Sequence, residues 1–359
     1  MDTTAFTTLY DADGPFATAL VDVSHADENG AHEHELRVRA AADALREQGA
    51  DGGVVDAVVA RLSEAVDQPA PVARLVVATA EGVVLDEVAG TRVDDVVATW
   101  GPLPDLTRWV EHSDSAVSFV LAVVDHEGGD VAVYRSDVPD AEDEASVGGG
   151  DEQFVHKVPV GGWSALRYQH TTENVWARNA EAVVEEVTAH VRKGHRLVLL
   201  AGDPQSRGMV RDGLAGTEAE LVELPTGSRA EDGGDEALAQ AIREALMEHV
   251  VGRRLQLVHE LRERTGRGEG AVAGVAAVAD AFVRGQVATL LIDPATAAEA
   301  ELDPADHPGL ALGAVDGPVR ADLGLVAAAA RTSADVAVVG RASLGGEPAA
   351  ALLRWDESA

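Results

Sequence analysis

Between residues 117 and 224 the chain alternates strand-like and helix-like periodicity, and that alternation constrains the fold more than any other feature. Residues 117–124 and 131–134 are β-prone runs joined through the turn Glu127-Gly128-Gly129-Asp130. Residues 154–158 read as a short strand, 165–193 as a long helix, 196–201 as a buried strand, 203–214 as a helix and 219–224 as another strand. Strands separated by helices of this length bury their faces in α/β layers. The intervening stretch 136–152 is acidic and glycine-rich, which predicts an exposed loop.

The flanks repeat the theme. A strand is expected at 16–23, an amphipathic helix at 34–47 with Leu36, Ala40, Ala44 and Leu45 on one side, and a second helix at 54–66. Residues 74–78 and 83–88 read as a hairpin turning at Glu81-Gly82, and Pro102 and Pro104 break the pattern before 106–110. After a polar linker at 226–235 come a long helix at 236–264, a helix at 272–283, a strand at 288–292, a proline-rich loop at 293–318, a helix at 320–331 and a strand at 336–339. With a boundary near Asp114, this divides the chain into an α/β segment 1–113, a central segment 114–235 and a C-terminal α/β segment 236–359.

Charge excludes several functions. The 62 acidic residues outweigh 28 basic ones for a net −34, an average that opposes non-specific binding to a polyanion. Residues 153–213 escape that average: Lys157, Arg167, Arg178, Arg192, Lys193, Arg196, Arg207 and Arg211 outnumber the acids there, giving +2 and leaving −36 on the remainder. The absence of cysteine removes disulfides, thiolate metal sites and a cysteine nucleophile. No basic, apolar leader opens the chain and no run approaches about 18 apolar residues, so a cytoplasmic location is expected.

Most candidate motifs have plain structural readings. His32, Glu33, His34 and Glu35 are consecutive, so on a helix they point about 100° apart and do not converge on a metal. Gly202-Asp203-Pro204-Gln205-Ser206 reads as a βα turn capped by Asp203, without a Walker lysine. Gly266, Gly268 and Gly270 space an inter-helix loop, and no Ser, His and Asp arrangement signals acyl transfer. Neither metal nor cofactor is expected.

The informative stretch is Lys157 to Arg178, with Gly161-Gly162-Trp163-Ser164-Ala165-Leu166-Arg167-Tyr168 opening a helix. Paired glycines open backbone conformations closed to other residues and let a loop tip approach a substrate. A tryptophan there either packs into its own domain or stacks on a base.

This stretch resembles the central domain of archaeal and eukaryotic class-1 release factors and their bacterial relatives, in which a GGQ loop continues as S-A-L-R-F into a long helix. Residues 119–134 resemble that domain's opening hairpin, 154–159 the strand before the loop, and 197–202 the strand and turn after the helix. Residues 287–292 are similar to the start of a third domain shared with kink-turn-binding ribosomal proteins, so the resemblance runs from about Ser115 to Trp355. It implies a three-domain release-factor-like α/β architecture with mixed-sheet domains and a C-terminal kink-turn-binding-protein-like sandwich.

The resemblance implies a ribosomal A-site ligand, with large-subunit rRNA and elongation factor Tu as partners. Gly161, Gly162, Trp163 and Ser164 would approach rRNA, and Lys157, Arg167 and Arg178 would contact phosphates. Trp163 stands where the family carries its catalytic glutamine. An indole is a donor only and does not orient water as a carboxamide does. Pelota-like rescue factors and Balon-like hibernation factors also lack that glutamine, which implies a hibernation or stress factor without peptide release. The alternative is a peptidyl-tRNA hydrolase of the release-factor or Vms/ANKZF-like kind, acting on stalled ribosomes through Gly161 and Gly162.

Overall fold

In the computed structural model, residues 3–24, 28–68, 70–125, 127–138, 140–148, 173–225, 234–313 and 315–355 are described. They pack as two units, one made of Met1–Ser115 with Gly252–Ala359 and the other of Ala116–Val251. The fold is mixed α/β, with strands and helices in both units.

The first unit begins with a 3₁₀ segment at Thr4–Asp11 and strand β1, Phe16–Asp22. Helices α1 (Glu28–Glu47) and α2 (Gly52–Leu62) follow, then β2 (Ala73–Thr79), β3 (Gly82–Ala89), β4 (Val97–Gly101) and helix α3 (Thr107–Ser113). The antiparallel sheet has the order β3-β2-β1-β4. Successive side chains of a strand point to opposite faces, and in the central strands β1 and β2 both faces are buried. Ala17, Ala19 and Val21 meet Val38, Ala41, Ala42 and Leu45 of α1 and Val54, Val55 and Val58 of α2. Phe16 and Leu20 belong to the core shared with the C-terminal part of the unit. Helix α1 therefore buries Val38, Ala41, Ala42 and Leu45: of the expected stripe Leu45 is in the core, whereas Leu36 is 46% exposed and Ala40 lies outside. A stripe rotated by about 100–200° satisfies the same helical periodicity, and Val38 is the residue that makes it the larger apolar face.

The second unit holds β5 (Ser118–Val124), β6 (Gly128–Arg135), β7 (Asp143–Gly148), α4 (Glu173–Arg192), β8 (Leu197–Gly202), α5 (Pro204–Leu214) and β9 (Glu220–Glu223). Helix α6, Gly234–Arg267, contributes its first half here and its second half to the other unit. The mixed sheet runs β7-β6-β5-β8-β9, antiparallel from β7 to β5 and parallel from β5 to β9. One face packs Val120, Ala122, Val198 and Leu200 against Val183 and Val187 of α4 and Val210 and Leu214 of α5. The other packs Phe119, Leu121, Leu197 and Leu199 against Ile242, Ala245 and Leu246 of α6. Strand β7 corrects the loop expected at 136–152: Asp143 pairs with Val133, Ala145 with Val131 and Val147 with Gly129. An edge strand needs only one partner, and acidic residues such as Asp143 and Glu144 guard its open side without preventing the ladder. The strand expected at 154–158, the loop at 159–162, the helix start at 165–172 and most of the linker at 226–235 lie outside the described residues.

The C-terminal part of the first unit adds β10 (Ala271–Ala273), α7 (Val275–Val283), β11 (Val287–Ile292), α8 (Pro294–Ala298), β12 (Glu301–Leu302), β13 (Val319–Arg320), α9 (Ala321–Arg331), β14 (Asp335–Val338) and β15 (Ala349–Leu353). The sheet order is β10-β15-β11-β14, with β11 and β14 parallel. Leu290, Ile292 and Ala351 face α7 and α9, whereas Leu291, Ala350 and Leu352 face Val258 and Leu261 of α6. The result is an α/β/α sandwich. Residues 272 and 273, expected to begin a helix, belong to β10 instead, so the Gly266–Gly270 segment turns from helix to strand and not between two helices.

Two clusters of buried polar groups in this unit are paired. Thr107 donates to Asp322 at 2.6 Å, and Arg320 bridges Asp322 and Asp105. Asp114, fully buried, accepts from Arg253 at 2.6 Å, from Arg254 at 2.8 Å and from the Val338 backbone at 3.2 Å.

Candidate nucleic-acid interface

Helix α4 frames the candidate surface. Its apolar residues Ala180, Val183, Val187 and Val191 recur at helical spacing and are buried against the sheet. That orientation leaves Arg178 and Arg192 exposed, and neither makes an ion pair with another described residue. The other basic side chains of the segment are engaged. Lys193 lies 3.7 Å from Asp143, Arg196 pairs with Glu218 at 2.8 Å, and Arg211 joins Asp212 and Glu223 at 3.1 and 3.2 Å. Arg207 donates to the Leu224 carbonyl at 2.6 Å and sits 3.7 Å from Glu223. The positive balance at 153–213 is thus concentrated, among described side chains, on two arginines of one helix.

Of the residues singled out by sequence, Arg178 is placed on this exposed face. Lys157, Gly161, Gly162, Trp163, Ser164 and Arg167 lie outside the described residues.

The turn after β8 does not serve as an anion cradle. Asp203 accepts from the backbone N–H groups of Gln205 and Ser206, both at 3.0 Å, so its own carboxylate fills the N-terminus of α5. Gly202 adopts φ +110°, and a Cβ there would stand 1.9 Å from the Val124 carbonyl oxygen. The glycine is what lets β8 end against β5, where the Asp203 N–H donates to Val124 at 2.9 Å.

Elsewhere the histidine cluster of α1 diverges: His34 contacts the Leu62 carbonyl at 2.9 Å, Glu33 pairs with Arg37 at 2.9 Å, and His32 stays exposed beside Glu35. Among the described residues no group of three or more His, Asp or Glu side chains is arranged to hold a metal, and no helix is long and apolar enough to cross a membrane. Sequence reasoning did not find the polar pairs below the sheet, Ser118 with His195 at 2.8 Å and Glu186 with His190 at 3.2 Å. Only the i, i+4 spacing of Glu186 and His190 signalled either. On β6, Tyr134 stacks on Phe119 with ring centroids 5.6 Å apart. Burial, then the charges of Glu144 and Asp130, push its phenol up to about 12.

The helix-flanked mixed sheet lies in the part of the chain that is similar to a bacterial release-factor family. Residues 118–267 match the family model described as bacterial archaeo-eukaryotic release factor family 2. Two Mycobacterium tuberculosis proteins, the uncharacterized proteins Rv2629 of strain H37Rv and MT2704 of strain CDC 1551, are each 26% identical over 292 residues, covering 79% of this chain and 76% of their own. Among solved structures the chain is similar to Archaeoglobus fulgidus Pelota, at 15% identity over 80% of each chain with a TM-score of 0.32. It is also similar to S. cerevisiae Dom34, a translation termination-like factor, at 11% identity over 79% of each chain with a TM-score of 0.40. A third is the structure of ribosome-bound archaeal Pelota and ABCE1, at 16% identity over 98% of this chain and 94% of that one, with a TM-score of 0.43.

Proposed function

We propose that this chain is a ribosome-binding translation factor whose central segment enters the A site of the large subunit and holds the ribosome without releasing peptide, as a cytoplasmic hibernation or stress factor. The observation that carries the reading is the family match over 118–267, which brackets the Gly161-Gly162-Trp163 motif. Release chemistry requires a group that orients water at the ester carbonyl. Tryptophan retains a backbone N–H but supplies no side-chain acceptor. Loss of such a preorganised group costs about 10²–10³ in rate. Arg178 and Arg192 on the open face of α4 suit phosphate contacts, whereas the strongly acidic remainder disfavours any but a shape-specific rRNA partner. Elongation factor Tu is the delivery partner in this proposal, and the segments 1–113, 114–235 and 236–359 act as its three functional parts.

Sedimentation with ribosomes and a release assay on ribosome-bound peptidyl-tRNA test it. The expected result is co-sedimentation that weakens with salt, no peptide release by the native chain, and release only in Trp163→Gln. A protein that stays at the top of the gradient at low salt overturns ribosome binding. Release by the native chain that Gly162→Ala abolishes replaces the proposal with a peptidyl-tRNA hydrolase.

A further inference from the structure

Strand β4 forms one edge of the N-terminal sheet and pairs only with β1, Thr99 standing opposite Thr18 and Ala98 opposite Ala19. Its sequence, Val97-Ala98-Thr99-Trp100-Gly101, has no charge and no proline. Those are the usual guards of a sheet edge, and the opposite edge strand, β3, has two charges in Asp86 and Glu87. The edge of β4 is occupied instead by one side chain. Gln48, exposed just beyond the end of α1, donates from Nε2 to the Ala98 carbonyl at 2.9 Å and accepts at Oε1 from the Trp100 N–H at 2.9 Å.

Both backbone groups of a strand residue point to the same side. The Gln48 contacts therefore identify Ala98 and Trp100 as the residues whose N–H and C=O face away from β1. These two flank Thr99 symmetrically. A second copy of the chain, approaching antiparallel with its Thr99 opposite this one, would set each Ala98 against the other copy's Trp100, each such pair exchanging both its hydrogen bonds. No other register uses both residues on both chains in this way. Gln48 sits on half of those groups.

We infer that Gln48 is an intramolecular guard of the β4 edge, and that the partner it excludes is the β4 strand of a second copy of this chain. Five residues of strand bury far less than the roughly 1,200 Å² of a stable interface, so the association it suppresses is weak. The net charge of −34 opposes it further, and salt relieves that opposition.

Gln48 is exposed, so its replacement leaves the core intact. Sedimentation velocity of the full chain, at about 0.1 M and 1 M salt, compares the native protein with Gln48→Ala and with Gln48→Ala/Ala98→Pro. Proline at 98 removes the outward N–H without removing a bond to β1. Gln48→Ala is expected to self-associate at least about tenfold more tightly, more so at high salt, while the double variant returns to the native behaviour. Hydrogen exchange in dilute Gln48→Ala should show the Trp100 amide losing protection. Unchanged Trp100 protection shows that Gln48 guards nothing. Deprotection without added association shows that the edge does not accept a copy, and association that persists in the double variant assigns it to another surface; each result overturns the inference.

Discussion

Replacing Gly202 by alanine should be among the most damaging single-methyl additions in the 116–251 unit, and a second glycine supplies its internal control. Gly202 and Gly194 have nearly the same φ, +110° and +108°, but a Cβ at Gly194 meets nothing within 4 Å. The left-handed conformation alone costs an alanine about 1–2 kcal/mol, and Gly194→Ala should lose that much. At Gly202 the new carbon would lie 1.9 Å from the Val124 oxygen, 2.7 Å from its nitrogen and 2.8 Å from its carbonyl carbon. Real Cβ contacts stay beyond 3.0 Å, so β5 and β8 must separate by more than an ångström at their ends. The separation costs about 1–3 kcal/mol of overpacking strain and about 1 kcal/mol for the Asp203 to Val124 hydrogen bond. Gly202→Ala should therefore lose about 3–6 kcal/mol, about 2–4 more than the control. Because two packing units need not unfold together, the measurement is urea-dependent hydrogen exchange of the β5 and β8 amides. Equal losses in the two variants, within about 0.5 kcal/mol, would refute the close-approach reasoning.

Two further outcomes follow from buried polar groups. Asp114→Asn keeps the shape of the side chain but leaves Arg253 and Arg254 without their carboxylate; since both arginines are about one-third exposed, the loss should fall near 2 kcal/mol, read as a lowered unfolding midpoint, and a change below about 0.5 kcal/mol would show the clamp to be dispensable. Tyr134 is raised from 10.0 to about 12 in the folded chain, so its contribution to stability is complete below pH 10 and is lost as pH climbs from 10 through about 12. Titration by tyrosinate absorbance should accordingly show Tyr134 still protonated at about pH 11 in the folded protein and ionised in denaturant; coincident curves would contradict the burial.

The strands most legible in the sequence are those dense in large aliphatic residues. Ser118–Val124 and Leu197–Gly202 are buried on both faces and read as continuous apolar runs. Strand β15 has no such signal, although it lies inside its sheet: Ala349-Ala350-Ala351-Leu352-Leu353 has helix-favouring residues and becomes a strand because β10 and β11 flank it. The acidic β7 is hidden in the same way, by a composition that signals a loop when its partner strand is out of view. At the candidate surface, the apolar spacing of α4 is readable and fixes where Arg178 points, while the pairing of Lys193, Arg196 and Arg211 is not, because their partners Asp143, Glu218 and Glu223 come from separate strands and turns. The Asp114 clamp joins residues 139 and 140 positions apart, a separation no local pattern encodes.

The first unit is assembled from the two ends of the chain, and this sets an order of events during synthesis. Phe16 and Leu20 share their core with Leu290, Leu325 and Ala351, residues that do not yet exist when β1 to β4 leave the ribosome. At ordinary elongation rates the wait is roughly ten to fifty seconds, while the contiguous 116–251 unit has all its residues to hand and can close first. Once residue 251 has left the ribosome and before the C-terminal residues follow, the chain would thus present a finished middle and an N-terminal sheet with one apolar face bare. That intermediate is where folding assistance or early degradation would act on this protein.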